Sequence, residues 1–313
     1  MKAQCHGVVV IDKPAGLSSF RVAKAVRRIL KVKKIGYLGT LDPFATGVLP
    51  LCLNQATKLV PFLIEEPKTY RASMHLGAET DTQDVTGTMV AHSVDLPRPE
   101  QIIQVAARFV GEQWQIPPMY SALHYQGQRL YHLARQGLML EVNPRRIKVH
   151  CLEIEEISLP QVTFTVTCSK GTYIRTLAAD MGRVLGCGAY LEALRRLAVG
   201  PFSLSRAVSL PGRDDLKAQE ELRAHLIPLA HCLPDWPAVS ISDPDAQRLR
   251  QGQSLRQWPG QAEYQRRQPG EQVRVLQGQE LVAIAELAGD PSQFVLKPVR
   301  VFAAGQEATQ GGQ

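Results

Sequence analysis

Gly36-Tyr-Leu-Gly-Thr-Leu-Asp42-Pro-Phe-Ala-Thr-Gly47 is the stretch on which the reading of this chain turns. It holds three glycines and one carboxylate, Asp42, between two apolar segments. The whole of 35–47 reads as a loop, because Gly, Thr, Asp and Pro favour turns over regular structure. Taken alone, an Asp-Pro in such a loop is a turn whose carboxylate caps backbone amides. Leu41, Phe44 and Val48 flank Asp42 with apolar bulk, so the loop is expected to be packed rather than free.

Working outward, Gly7 to Ile11 reads as a buried strand that ends in the turn Asp12-Lys-Pro-Ala-Gly16. Ser18 or Ser19 caps a helix over 20–30. Val22, Val26, Ile29 and Leu30 form its apolar stripe, and Arg21, Lys24, Arg27, Arg28 and Lys31 occupy the rest of the circumference. After the loop come a strand over 48–53 and a helix over 55–63. A half-buried strand follows over 69–76, with Tyr70, Ala72 and Met74 on one face. A polar turn (81–87), a helix over 99–109 and an excursion over 117–146 lead to paired strands over 147–157 and 162–168. A turn (169–172) then gives way to a helix over 173–185, and the Leu194 segment reads as helix core. A linker at 233–237 precedes a small β-rich region with short strands near 238–241, 272–276, 281–287 and 293–301. The tail, 303–313, is Gly/Gln-rich and expected to be disordered.

The chain has 313 residues, 44% hydrophobic and 21% charged, ordinary globular composition for one large core plus a smaller domain. Its net charge is +7, and the excess is local. Residues 1–60 hold ten Lys and Arg against Asp12 and Asp42, a block carrying +8, while the rest of the chain sums to −1. Such a block suits a polyanion, although a solvated helix face alone would give the same count. The six cysteines are scattered with no metal-ligand spacing, as expected of reduced thiols in the cytoplasm. No apolar run suits a signal peptide or a membrane span. Nucleotide and dinucleotide fingerprints are absent.

The loop motif Gly-x-x-Gly-Thr-Leu-Asp42-Pro-x-Ala-Thr-Gly-Val-Leu-Pro50 closely resembles the nucleophile motif of the TruB family of tRNA pseudouridine synthases. The likeness continues in chain order. It takes in Asp12-Lys-Pro-Ala-Gly-Leu-Ser-Ser19, Lys68-Thr-Tyr70, Pro118-Met-Tyr-Ser-Ala-Leu-His-Tyr-Gln-Gly127, Cys168-Ser-Lys-Gly-Thr-Tyr-Ile-Arg175 and Leu194-Arg-Arg-Leu197. Each piece is weak by itself; their order along about 7–202 makes the match specific.

The resemblance implies an α+β fold: a mixed central β-sheet flanked by helices, with a small C-terminal β-barrel-like PUA domain. The implied domains are a catalytic domain over 1–235, with an RNA-gripping insertion at about 117–146, and a PUA-like RNA-binding domain over 237–302. The implied reaction isomerises the T-loop uridine at position 55 of tRNA, with no metal and no organic cofactor. Asp42 takes the nucleophile or base position, Arg175 the arginine that keeps it charged, and Tyr70 the ring that stacks on the uracil. Tyr173 and Leu194 line the pocket. Tyr37 stands where many bacterial members have His, filling the gap left by the flipped base. The cationic face of 20–31 and Arg129, Arg135, Arg145 and Arg146 of the excursion are the expected RNA backbone contacts; Arg266 and Arg267 are weaker ones. The excursion favours a stand-alone enzyme over the guide-RNA-dependent relatives, which lack it; a monomer with no required protein partner is expected. A non-catalytic RNA-binding protein and a small-molecule glycosidase are the other classes; the latter calls for two carboxylates, and the motif loop has one.

Overall fold

The structure of the chain, a computed structural model, describes residues 5–121, 124–125, 128–130, 138, 142–212 and 214–304. Its elements in order are β1 (Gly7–Lys13), α1 (Ser19–Leu30), β2 (Ile35–Tyr37), β3 (Thr46–Leu53), α2 (Val60–Leu63), β4 (Lys68–Leu76), β5 (Ala78–Thr80), β6 (Met89–His92) and α3 (Pro99–Arg108). Then come β7 (Gly111–Gln115), β8 (His124–Tyr125), β9 (Gln128–Arg129), β10 (Arg145–Ser158), β11 (Gln161–Cys168), α4 (Ile174–Leu185), β12 (Ala189–Val199), β13 (Phe202–Ser203), β14 (Val208–Ser209) and α5 (Leu216–Ala224). The C-terminal part holds β15 (Ala238–Ser240), α6 (Asp243–Arg250), β16 (Gln272–Gln277), β17 (Glu280–Ala288) and β18 (Val295–Val301).

A ten-stranded mixed sheet dominates, in the order β14-β1-β3-β12-β4-β11-β10-β7, with β2 added to β3 and β13 to β12. The β1–β14 and β3–β12 pairs are parallel and the others antiparallel. Because side chains alternate across a strand, β1 and β3 feed two cores at once. Val9, Ile11, Leu49, Leu51 and Leu53 pack against α1 and α5 on one face. Val8, Val10, Val48 and Cys52 pack on the other, together with Leu281, Ile284 and Phe302 of the C-terminal region. A third core lies under β4, β10 and β11 and is closed by α3 and α4.

Local chemistry sets the element ends. Ser18 caps α1, accepting a hydrogen bond from Arg21 N, and Lys31 ends it in the left-handed region. Gly186 does the same for α4 with φ 82°.

Four expectations need correction. Residues 35–37 are a strand, not loop, because β3 offers Leu51–Leu53 as pairing partners. The segment expected as a helix over 55–63 is a 3-10 turn, Asn54–Leu59, followed by the short α2. Leu194 sits in a strand: nine residues of β12 pair with β4, and that ladder overrides the helical preference of Leu-Glu-Ala-Leu-Arg-Arg. In the C-terminal region the strands form one open sheet, β15-β16-β17-β18, in place of a closed barrel, and α6 between them was not foreseen. In the excursion, β8 and β9 pair and Leu130 is buried; Leu133, Ala134 and Arg135 of the helix expected there lie outside the described residues. So do 305–313 of the tail.

Candidate active site

The loop that carries Asp42 is fixed from two sides. The N-terminal turn holds it from one: Lys13 Nζ donates to Pro43 O (3.2 Å), Gly16 N donates to Pro43 O (2.8 Å), and Leu41 N donates to Ser19 Oγ (2.8 Å). Strand β12 holds it from the other. Arg196, with no exposed surface, donates to Val48 O (2.7 Å), Gly39 O (3.0 Å) and Leu38 O (3.3 Å). Arg195 pairs with Asp12 at 2.7 Å and tethers the N-terminal turn to the same strand. The approach is close enough to require glycine. A Cβ on Gly47 (φ +101°) would lie 2.2 Å from Arg196 O, and one on Gly39 (φ +72°) 2.9 Å from Arg196 Nη1. Lys13 is fully buried among the carbonyls of Pro14, Leu17 and Pro43. Burial pushes its amine down to about 8, with the Asp42 charge opposing. One of the ten cations of the N-terminal block is therefore a loop anchor.

Asp42 meets Arg175, the first turn of α4, with Oδ2 at 2.9 Å from Nε and Oδ1 at 3.4 Å from Nη2. The arginine side chain is 4% exposed and the aspartate side chain 34%: the carboxylate is deep among protein atoms yet open on one side. The rest of the guanidinium is also engaged. It donates to Thr82 O (2.9 Å) and Tyr120 O (2.8 Å) and lies 3.5 Å from Asp84 Oδ2. Asp84 is buried, and its Oδ1 accepts from Thr82 Oγ1, Thr86 N and Thr86 Oγ1. Burial raises the Asp42 pKa above the ordinary aspartate value; the Arg175 charge opposes that rise and the Asp84 charge adds to it. Arg175 is thus clamped between two carboxylates, with only Asp42 left an open side.

Tyr70, Leu194 and Ile174 belong to the same core as Leu41 and Ala45, with Phe44 packed on it, so one wall beside Asp42 is apolar and aromatic. The Tyr70 phenol faces Arg196, its register partner in β12, and burial raises its pKa. Tyr173 occupies the N-cap position of α4 without a side-chain capping bond, and its backbone is held on both sides by the Gln115 side chain, at 2.8 and 3.0 Å. Tyr37 is half-buried on β2 and packs on the α1 core rather than on the core of Tyr70 and Leu194. The expected backbone contacts Arg21, Lys24, Arg27, Arg28 and Lys31 are all exposed on α1; Arg28 pairs with Asp214 at 2.7 Å. Arg145 and Arg146 are exposed at the start of β10, where Arg146 pairs with Glu112. Arg266 and Arg267 are exposed, and Arg267 pairs with Glu271. The side chain of Arg129 lies outside the described residues.

Sequence reading missed Asp84, Lys13, Ser19 and Arg196. The motifs that contain Lys13, Ser19 and Arg196 were visible, but nothing in their spacing says that they grip the Asp42 loop. Asp84 was hidden in a polar turn, where an Asp is ordinary.

The chain matches two adjoining family descriptions: the TruB family pseudouridylate synthase N-terminal domain over 27–174, and the tRNA pseudouridylate synthase B C-terminal domain over 175–233. Curated relatives named tRNA pseudouridine synthase B include one from Geobacter sulfurreducens, 48% identical over 79% of this chain and 81% of the relative. One from Syntrophomonas wolfei is 41% identical over 95% of this chain and 98% of the relative. Among solved structures, a Cbf5-Nop10-Gar1 complex superposes with TM-score 0.73 at 28% identity, over 96% of this chain and 85% of that one. A structure of an H/ACA RNP bound to a substrate RNA containing 2'-deoxyuridine gives TM-score 0.73 at 27% identity, over 96% and 86%.

Proposed function

Because this chain belongs to the TruB family and is a pseudouridine synthase, an isomerase, we propose that it converts a single uridine of tRNA, position 55 in the T-loop, to pseudouridine without a guide RNA. The observation that carries the chemistry is the contact of Asp42 with Arg175, 2.9 Å, beside an apolar wall that includes Tyr70. A carboxylate in such a place is held ionised by the guanidinium against the penalty of burial, ready to attack the ribose or to take a proton from it.

In this reading the uridine is flipped out of the folded loop at a cost of about a few kcal/mol, offset by backbone contacts from the α1 cations and from Arg129, Arg145 and Arg146. Tyr70 holds the uracil face, and Tyr173 and Leu194 bound the pocket. The N1–C1′ bond breaks, the uracil turns, a C5–C1′ bond forms, and the C5 proton is lost while N1 gains one. The step is redox-neutral and asks for no organic cofactor or metal. Tyr37 fills the gap left by the flipped base. Residues 1–235 act as the catalytic domain, with 117–146 as its RNA-gripping insertion. Residues 237–302 act as a PUA-like RNA-binding domain, and 303–313 as a tail. The enzyme works as a monomer in the cytoplasm. No helix among the described residues is long and apolar enough to cross a membrane. The names of the curated relatives support tRNA as substrate.

The test is to incubate the purified chain with an unmodified tRNA transcript and map pseudouridine at nucleotide resolution, with Asp42→Asn in parallel. One T-loop uridine modified by the wild type and none by the variant is the expected result. Modification only when a guide RNA is added would sink the stand-alone reading.

A further inference from the structure

We propose that the cleft between the 3-10 turn after β3 and the end of β18 is a second RNA contact, binding backbone phosphate of the stem that carries the modified loop. The proposal rests on the tRNA reading and adds a site to it, remote from Asp42.

The cleft has a volume of about 470 Å³ and is lined by Thr57, Lys58, Pro61, Val299, Arg300 and Val301. Two of these six are cations from distant parts of the chain. A third, Lys34, is close by: its backbone exchanges hydrogen bonds with Asn54 at the start of the same 3-10 turn. Lys34, Lys58 and Arg300 are all exposed, and among the described residues none of them makes an ion pair. Among the described residues no acid pairs with these three like charges, and Lys58 registers their repulsion. Burial lowers its pKa first, and the charges of Lys34 and Arg300 lower it further. A phosphate in the cleft would relieve that repulsion.

The two sides of the cleft are tied together by hydrogen bonds. Lys58 Nζ donates to Val301 O at 2.7 Å and lies 5.6 Å from the centre of the Phe302 ring. Gln55 exchanges hydrogen bonds with the backbone of Ala303. The two halves of the cleft therefore hold each other in place. The chemistry of the lining favours backbone phosphate over a free nucleotide. Phe302, the aromatic ring beneath Lys58, is fully buried and presents no face on which a base could stack.

Position separates this cleft from the loop-binding site. Strand β3 leads away from the Asp42 loop for eight residues before the 3-10 turn begins. At roughly 3.3 Å per residue that places the cleft about 25 Å from Asp42. A nucleotide bound at Asp42 does not reach so far, whereas a stem attached to it does.

The experiment compares two RNAs, an unmodified full-length tRNA transcript and a hairpin that keeps the modified loop on a stem of only a few base pairs, too short to reach the cleft. Affinity is measured across a salt series for the wild type and for K34Q/R300Q. Neither of these side chains makes a hydrogen bond among the described residues, so the fold is expected to stand, and thermal melting checks it. For full-length tRNA the double variant should bind on the order of tenfold more weakly at low salt, with the log–log salt slope shallower by about 1 to 2. Hairpin binding and single-turnover isomerisation of the hairpin should be unchanged. K58Q, which also removes the contact with Val301, should act in the same direction. An unchanged salt slope on full-length tRNA would overturn the proposal, and so would equal losses on both RNAs. Binding of inorganic phosphate that the variant loses while its RNA slope stays unchanged would assign the cleft to a free anion and overturn it as well. Because the readout is binding, a chain that bound tRNA through this cleft yet modified none would defeat the functional reading without touching this one.

Discussion

At the scale of single residues, Asp42 and Arg175 set the terms. Burial raises the Asp42 pKa from the ordinary value of 3.8, so the folded chain holds that proton more tightly than the unfolded chain does. The folded state therefore loses stability as pH rises from near 3.8 through the raised value, and Asp42 is a net cost at neutral pH. Subtracting the stability–pH curve of Asp42→Asn from that of the wild type should isolate this fall. The same carboxylate must be ionised to act, so activity should be lost as pH drops through the raised value. Arg175 is the largest force opposing the rise. Replacing it with Gln should move the acid limb of kcat/KM to higher pH and lower the rate at neutral pH by 100-fold or more, on the order of one lost charge-stabilising group. A limb that stayed put or moved down would show that the guanidinium does not govern Asp42.

At the scale of elements, the Asp42 loop behaves as a part clamped between β12 and the turn after β1. Gly47→Ala drives a Cβ to 2.2 Å from the Arg196 carbonyl at a φ of +101°, and backbone cannot step aside as a side chain can. It should cost about 3 kcal/mol or more in denaturant titration and abolish activity together with stability. Ser19→Ala removes the hydroxyl that serves both Leu41 N and Leu41 O, leaving a buried amide without its partner. A loss of about 1–3 kcal/mol is expected, with activity falling more than RNA binding. Equal stability of Ser19→Ala and wild type would mean that the loop holds its shape without this tether.

At the scale of the molecule, the C-terminal region is packed into the catalytic part. Leu281, Ile284 and Phe302 share a core with Val8, Leu59 and Phe202, and Phe62 meets Trp236 edge-on at 5.7 Å. Arg274 of β16 donates to Ala230 O, Pro234 O and Trp236 O, fixing the connecting segment. The two parts are therefore expected to unfold in a single transition, with the same midpoint by tryptophan fluorescence and by far-UV circular dichroism. Arg274→Ala should lower stability by about 2–3 kcal/mol, because three carbonyls lose their donor. Two separated transitions in the wild type would contradict this joint core.

Local pattern in the sequence determined β1, α1, β4, β10, β11 and α4. The alternation in β4, the apolar stripe of α1 and the cap at Ser18 are local, and local patterns survive in a linear string. The motif loop, its lone carboxylate and the partners that family resemblance supplied were legible for the same reason. Tertiary structure decided what cannot be local. Arg175 stands 133 residues from Asp42, and only the order of the strands brings α4 over the loop. Arg196 and Asp84 read as an ordinary strand cation and an ordinary turn residue until packing sets one under the loop and the other behind the arginine. Leu194 lies in a helix-favouring run that became a strand because nine pairings with β4 outweigh propensities of a few tenths of a kcal/mol per residue. The cations Lys58 and Arg300 likewise meet only because a shared core presses the C-terminal sheet against the 3-10 turn.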